Sequence, residues 1–404
     1  MTSDYHDEDE PLELSDNIIS EGDFERAFDK PFSHALDIDN WTTGEELAGL
    51  SEHLEREVAE AQAVHNSVRS TIRNMLIPRL NESRFAPPNV GLYRATPAEI
   101  DKTLRGLLFA GHVEAVDGTS EIIDMLPLTI VQIGVCSTSY RGDRGEWGHR
   151  MFRQDLRSRG RDTVDDALKL LEARRNRTGY ERSSRSDQFS DLTRRGMMAY
   201  AERAVLAKKC EADWRMGQGN PLSYELLMGS GMPALIRPGV EVMHSLILDH
   251  KKFVFVPSSK ADRWHETVGL ALEPLEYVII ETMQPYLDRV FDGHYRGAWI
   301  EPKKRFLDPF YAEVFDKVVV GVYRVSHVGP PHIFYAHRDH AHHAALIAMA
   351  DGALHEHRGF PMLIDLAHTL CGTMFKGETL SGQTQTAFAD AGATLDYATE
   401  RMSR

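Results

Sequence analysis

His112-Val113-Glu114-Ala115-Val116-Asp117-Gly118-Thr119 is the stretch on which the reading of this chain turns. The apolar residues before Asp117 predict a strand, and the strand ends on a carboxylate. Gly118 lets the backbone turn there without a Cβ penalty. Thr119 sets a hydroxyl beside the acid. The apolar run from Leu126 to Cys136 is expected to return as a neighbouring strand. A carboxylate on a rigid strand end is a common start for a Mg2+ or Mn2+ site, because hard cations prefer oxygen ligands on a fixed frame. Asp-Gly-Thr is equally good turn chemistry with no further role.

The chain has 404 residues, 42% of them hydrophobic. That suits one large domain with additions, or two domains. No apolar run approaches the ~20 residues that span a bilayer. The acidic N-terminus lacks a basic and apolar leader, so no secretory signal or membrane attachment is expected. Cys136, Cys210 and Cys371 lie far apart without metal-ligand spacing and read as buried thiols in a reducing cytoplasm. A formal charge of −15 argues against non-specific coating of nucleic acid but leaves room for a local basic channel.

Residues 1–40 are acidic, with Asp7-Glu8-Asp9-Glu10 the clearest run. They read as a solvated, flexible tail, or as a tail that binds a partner or mimics DNA charge. Residues 41–85 read as a helical arm. Thr43-Gly44-Glu45-Glu46 has the capping-box pattern, and apolar residues from Leu47 to Met75 recur every three or four positions up to Pro78. At 1.5 Å per residue such a helix would be about 50 Å long. Residues 86–404 read as one mixed α/β domain. Strands are expected at 112–117, 127–137, 224–228, 252–257, 317–326 and 332–337. Helices are expected at 164–175, 190–211, 240–249, 265–282, 340–350 and 361–371. Arginine is dense at 140–195, where Arg141, Arg144, Arg150 and Arg153 are interleaved with Trp147 and Phe152. Cations beside aromatic platforms suit single-stranded or phosphate-backbone binding; a solvated, salt-bridged insertion is the plainer reading.

Glu202 lies among small and apolar residues in Ala199-Tyr200-Ala201-Glu202-Arg203-Ala204. An inward Glu on a helix over a sheet completes a site begun by a strand Asp; a surface pair with Arg195, Arg203 or Lys209 is the alternative. The order of elements then carries a resemblance. An Asp-Gly-Thr strand is followed by a Glu-bearing helix, by Leu226-Leu227-Met228-Gly229-Ser230, and by a strand ending Val256-Pro257-Ser258-Ser259-Lys260. Phe360-Pro361-Met362-Leu363-Ile364-Asp365-Leu366-Ala367-His368 closes the series. Over roughly residues 86–395 this order resembles the NurA nuclease family, which has an RNase H-like core and works with the HerA hexameric translocase.

The resemblance implies an α/β, RNase H-like core with a mixed central sheet, an Arg-rich insertion and a long N-terminal helix. It implies a Mn2+- or Mg2+-dependent deoxyribonuclease, a homodimer, and a HerA-type ATPase partner in DNA end processing or phage defence. Asp117 and Glu202 would be acidic metal ligands. His368 would be a metal ligand or proton shuttle, and Lys260 a phosphate contact. Arg141, Arg144, Arg150 and Arg153 would bind DNA. Where the family carries an Asp before Gly-Ser, this chain has Met228, and a thioether does not hold a hard cation. Glu225, Glu121 and Asp124 are the possible replacements. Without one, the alternative is a weakened or inactive subunit that binds DNA and guides the translocase. His337, His340, His342, His343, His355 and His357 form a further cluster, open to zinc, to DNA phosphates, or to no role beyond a surface.

Overall fold

Asp117 does not end a strand. The computed structural model describes residues 20–124, 128–154, 164–165, 167–168, 191–258, 263–292, 295–376 and 378–393. Its strands are β1 (Gly91–Arg94), β2 (Val113–Asp124), β3 (Leu128–Thr138), β4 (Arg144–Gln154), β5 (Trp214–Gln218), β6 (Phe253–Val256), β7 (Glu276–Thr282), β8 (Val318–Arg324) and β9 (His332–His337). β2 runs straight through Gly118 and Thr119, with Asp117 opposite Cys136 on antiparallel β3. The expected turn is displaced past Asp124, because each residue from Ala115 onward finds a ladder partner and a turn would forfeit that pairing.

β4 pairs with β3 at every position from Leu128 to Thr138. The Arg-dense segment therefore opens with an edge strand of the sheet. Most of 155–190 lies outside the described residues. β5 runs parallel to β2, and β6 parallel to β5. The order β4-β3-β2-β5-β6 is an antiparallel meander with two parallel strands added beside its first member. That is the connectivity of an RNase H-like core. β9, β8, β7 and β1 continue the sheet antiparallel beyond β6, making it mixed and nine-stranded.

The helices that position the site are α1 (Asp191–Lys208), α2 (Ile236–His244), α3 (Ala341–Gly352) and α4 (Met362–Phe375). Strand alternation splits the core into two layers. Val116, Val135 and Phe255 join Val205 and Leu206 of α1 and Val242 of α2. Ala115, Met216 and Val254 join Ala344 and Ile347 of α3 and Leu363 and Ala367 of α4.

Two sequence expectations fail for local reasons. The helix expected over 265–282 stops at Leu270. Pro274 follows, and the β-branched run Val278-Ile279-Ile280 joins β7 instead. The strand expected over 224–228 is a short helix, Tyr224–Leu227, because Ser223 caps it by accepting from the Leu226 N–H at 3.4 Å.

Contacts divide the chain at Val68. In the first unit, Ser20 with Asp23 and Thr43 with Glu46 form capping boxes for the helices Glu21–Phe28 and Gly44–Gly49. The long helix expected from Thr43 is interrupted at Leu50 and resumes as Ser51–Thr71. No described helix is long and apolar enough to cross a membrane.

α4 is pinned at both ends. Buried Asp351 of α3 accepts from the Leu363 N–H at 2.9 Å and from the Tyr140 hydroxyl at 2.5 Å. This caps a helix whose own N-cap residue, Pro361, supplies no side-chain bond. At the other end the Phe375 ring fills the hollow left by two glycines. A Cβ on Gly134 would lie 2.1 Å from Phe375 Cγ, and one on Gly148 2.5 Å from its Cε1. Gly134→Val is expected to destabilise the chain by about 1–3 kcal/mol through overpacking. The loss measured by denaturant unfolding should be smaller in a Phe375→Ala background than in the parent.

Candidate active site

β2 outruns β5. Their parallel pairing ends with Val116 opposite Gly217, so from Asp117 onward one edge of β2 has no ladder partner among the described strands. β5 stops at Gln218 and β6 at Val256. The opening at these carboxyl ends is a cavity of about 640 Å³. Ligands of open α/β sheets bind at such ends, beyond the last hydrogen bonds of the parallel strands.

Asp117 and Glu202 reach this cavity from opposite faces of the sheet. Asp117 shares its face with α4, where His368 Nδ1 lies 2.7 Å from Asp117 Oδ2. Glu202 comes from α1 and rests on Gly118. A Cβ there would stand 2.5 Å from Glu202 Oε1 and 2.8 Å from its Cγ. Gly118 thus serves a close helix approach rather than a turn. The structure brings together three residues far apart in the chain, Asp117, Glu202 and His368, around one cavity.

Burial dominates the electrostatics. It pushes the Asp117 carboxyl above its usual range, against the opposing pull of His368. It raises Glu202 further, to about 7. The Arg203 guanidinium works against that rise, and the neighbouring carboxylates Asp117 and Glu225 add to it. Glu202 is 15% exposed and is gripped by Arg203 at 3.1 Å. Arg203 is itself buried and fixed by the carbonyls of Ala199 and Asn220, at 3.0 and 2.6 Å.

The other expected residues scatter. Glu225 lines the cavity, its Oε2 accepting from the Ser223 hydroxyl at 2.9 Å. Glu121 sits farther along β2, opposite Gln132, and does not line the cavity. Asp124 is the last residue of β2. Met228 does not line the cavity with Asp117; with Val290 it lines an adjoining depression that shares Tyr224, Tyr286 and Arg289 with it. Lys260 lies outside the described residues. Arg141, Arg144, Arg150 and Arg153 do not line the cavity. Arg150 donates to Gln132 and Gln383, at 2.7 and 2.8 Å, and Arg153 to Thr129. Arg195, Arg203 and Arg289 are the arginines that do line it.

Residues not singled out by sequence also contribute. Gln218 stands beside Asp117 at the end of β5, and Asn220 follows; both are amides on the cavity wall. Their signal would have been the carboxyl end of a parallel strand, but Trp214-Arg215-Met216-Gly217-Gln218 alternates for only three residues before Gly217 breaks the pattern. The histidines fall elsewhere. His340 and His343 flank Trp214, at the opposite end of β5, with ring centres 6.0 and 6.3 Å away. Tyr277 Oη lies 3.0 Å from His342 Nδ1.

Among the described residues no three His, Cys, Asp or Glu side chains are gathered as a ready ligand set. The donor chemistry at Asp117 still fits a hard dication. Asp117, Glu202 and Glu225 are oxygen donors of the kind hard dications prefer, and the charges of Asp117 and Glu225 add to the burial that raises Glu202.

No protein-family model and no curated protein matches the chain. Solved structures do. The NurA nuclease from Sulfolobus solfataricus is 10% identical over 87% of this chain and 97% of its own, with a TM-score of 0.43. Another NurA structure is 8% identical over 86% and 99%, at 0.42. A NurA with manganese is 10% identical over 83% and 98%, at 0.39. At these identities the likeness concerns the arrangement of elements alone.

The raised Glu202 has a consequence for stability. Its folded pKa of about 7 lies above the usual 4.5, so the folded chain holds a proton that the unfolded chain releases. Its contribution therefore falls as pH rises between those values. In metal-free buffer, Glu202→Gln is expected to gain stability on the parent between pH 5 and pH 8, by about 3 kcal/mol at most. Parallel denaturation curves for parent and variant at the two pH values would refute this origin of the shift.

Proposed function

We propose that the chain hydrolyses phosphodiester bonds in DNA at this cavity, with Mn2+ or Mg2+ held by Asp117 and Glu202 and with Glu225 as the additional carboxylate. The observation that carries the reading is the hydrogen-bonded Asp117–His368 pair facing the cavity that Glu202 enters from the other side of the sheet. A bound dication polarises the phosphate and lowers the pKa of the attacking water.

The protein's own groups do the rest. Asp117 accepts Nδ1–H of His368, which fixes the ring and leaves Nε2 to take or give a proton. Arg203 holds Glu202 in place. Arg195 and Arg289 on the cavity wall draw in the phosphate. Lys260 is carried as a phosphate contact on the sequence resemblance alone. The same resemblance supports a homodimer, a HerA-type hexameric ATPase as partner, and a place in DNA end processing or phage defence.

A second reading, a weakened nuclease that chiefly guides DNA, is favoured by one observation. The groups beside Asp117 at the end of β5, Gln218 and Asn220, are neutral amides, which bind hard cations less strongly than carboxylates.

Incubating the full chain with linear DNA and Mn2+ decides between the two readings. Cleavage should stop with a chelator. It should fall at least ~10²-fold in His368→Ala and further in Asp117→Asn. Cleavage by Asp117→Asn at the parent rate rules the enzyme out.

A further inference from the structure

The helix that carries His368 brings a second reactive group down onto the sheet. His368, Cys371 and Phe375 follow one another at helical spacing on one face of α4. His368 meets Asp117. Cys371 comes next, its Sγ donating to the Gly134 carbonyl at 3.4 Å. Phe375 follows, over Gly134 and Gly148. On the strand side, Cys136 is the direct cross-strand neighbour of Asp117, so their side chains share a face. Gly134, two residues back along β3, shares that face too. The geometry therefore sets the Cys371 thiol against the Cys136 thiol, and the two are hydrogen-bonded to each other.

Both thiols are fully buried, and they are not bridged. The third cysteine, Cys210, lies in the core layer on the opposite face of the sheet, with Val116 and Val205. The sheet keeps it from the pair. Two small apolar side chains would fill the same space as Cys136 and Cys371. Two thiols in contact can also be joined, and nothing in the hydrolysis reading makes use of them.

We propose that Cys136 and Cys371 form an oxidation site, at which peroxide closes a disulfide that staples the His368 helix to β3. One sulfur attacks a peroxide oxygen, breaks the O–O bond and becomes a sulfenic acid, releasing water. The other sulfur displaces the new hydroxyl as a second water. Two S–H bonds are lost, one S–S bond forms, and the peroxide takes up the two electrons. Both sulfurs are enclosed, so the oxidant has to be small, and hydrogen peroxide is. The staple falls one turn from His368, on a helix already held at its ends by Asp351 and Phe375. It makes the hold on that helix covalent.

The test needs no DNA. The folded full chain is treated with dilute hydrogen peroxide, quenched, denatured and alkylated. Free thiols should fall from three to one, and a reductant should then release the other two. Digestion without reductant should yield one peptide joining Cys136 to Cys371. Cys210→Ala should form the same bridge, and Cys136→Ala and Cys371→Ala should form none. The bond closes a loop of roughly 230 residues and so restricts the unfolded chain. The urea midpoint of the oxidised protein should therefore exceed its midpoint after added reductant by about 0.5–1 M. Methionine oxidation survives that reductant, so the difference reads the disulfide alone. Three thiols left free, a bridge through Cys210, or sulfur that reductant does not restore overturns the proposal. So does a midpoint that the bond leaves unchanged or lowers. Cleavage enters none of these readouts, so this proposal and the hydrolytic reading fail separately.

Discussion

A missing side chain makes the site possible. α1 lies low over β2 because Gly118 carries no Cβ, and Glu202 occupies the space that one would fill. With any larger residue the helix or the Glu must lift. Burial and the nearby charges of Asp117 and Glu225 raise the Glu202 carboxyl.

The second requirement is a strand that ends early. Backbone pairing is the strongest local preference in the sheet, and it would close over Asp117 if β5 continued. It stops at Gln218, and the opening it leaves is where groups from the two faces meet. A buried carboxylate normally demands a partner. Asp117 has the imidazole of His368, delivered by a helix held at one end by Asp351 and at the other by Phe375. The capping carboxyl of Asp351 is itself pushed up to about 6 by burial. Rigid delivery matters because a proton-transferring imidazole works only within hydrogen-bond reach.

Much of the framework was legible in the chain. The apolar residues of 112–117 and the run ending at Cys136 announced β2 and β3. The small and apolar neighbours of Glu202 left it able to face inward or to pair with Arg195, Arg203 or Lys209, and it does both, with Arg203 as its partner; the helix bearing His368 was expected at 361–371. The misreadings share a cause. Arg144–Gln154 is polar and looked like an insertion, yet it is a strand because β3 offers it a partner at every position. Glu225 was expected on a strand, but the hydroxyl of Ser223 starts a helix there. Of the Arg-dense segment, Arg141, Arg144, Arg150 and Arg153 do not line the cavity, and Arg195 at its far end does, together with Arg203 and Arg289.

The sequence by itself determined which side chains could serve: a strand Asp, a helix Glu with an apolar setting, a histidine late in the chain. It determined them because period and polarity are local properties, carried by neighbours in the polymer. Only the tertiary structure decided that β5 ends beside Asp117, that Gly118 is a seat for Glu202 rather than a turn, and that Met228 stands aside. Those are facts of distance between segments as much as 250 residues apart, as in the Asp117–His368 pair. Distance between segments is set by how faces pack, which no stretch of residues encodes alone.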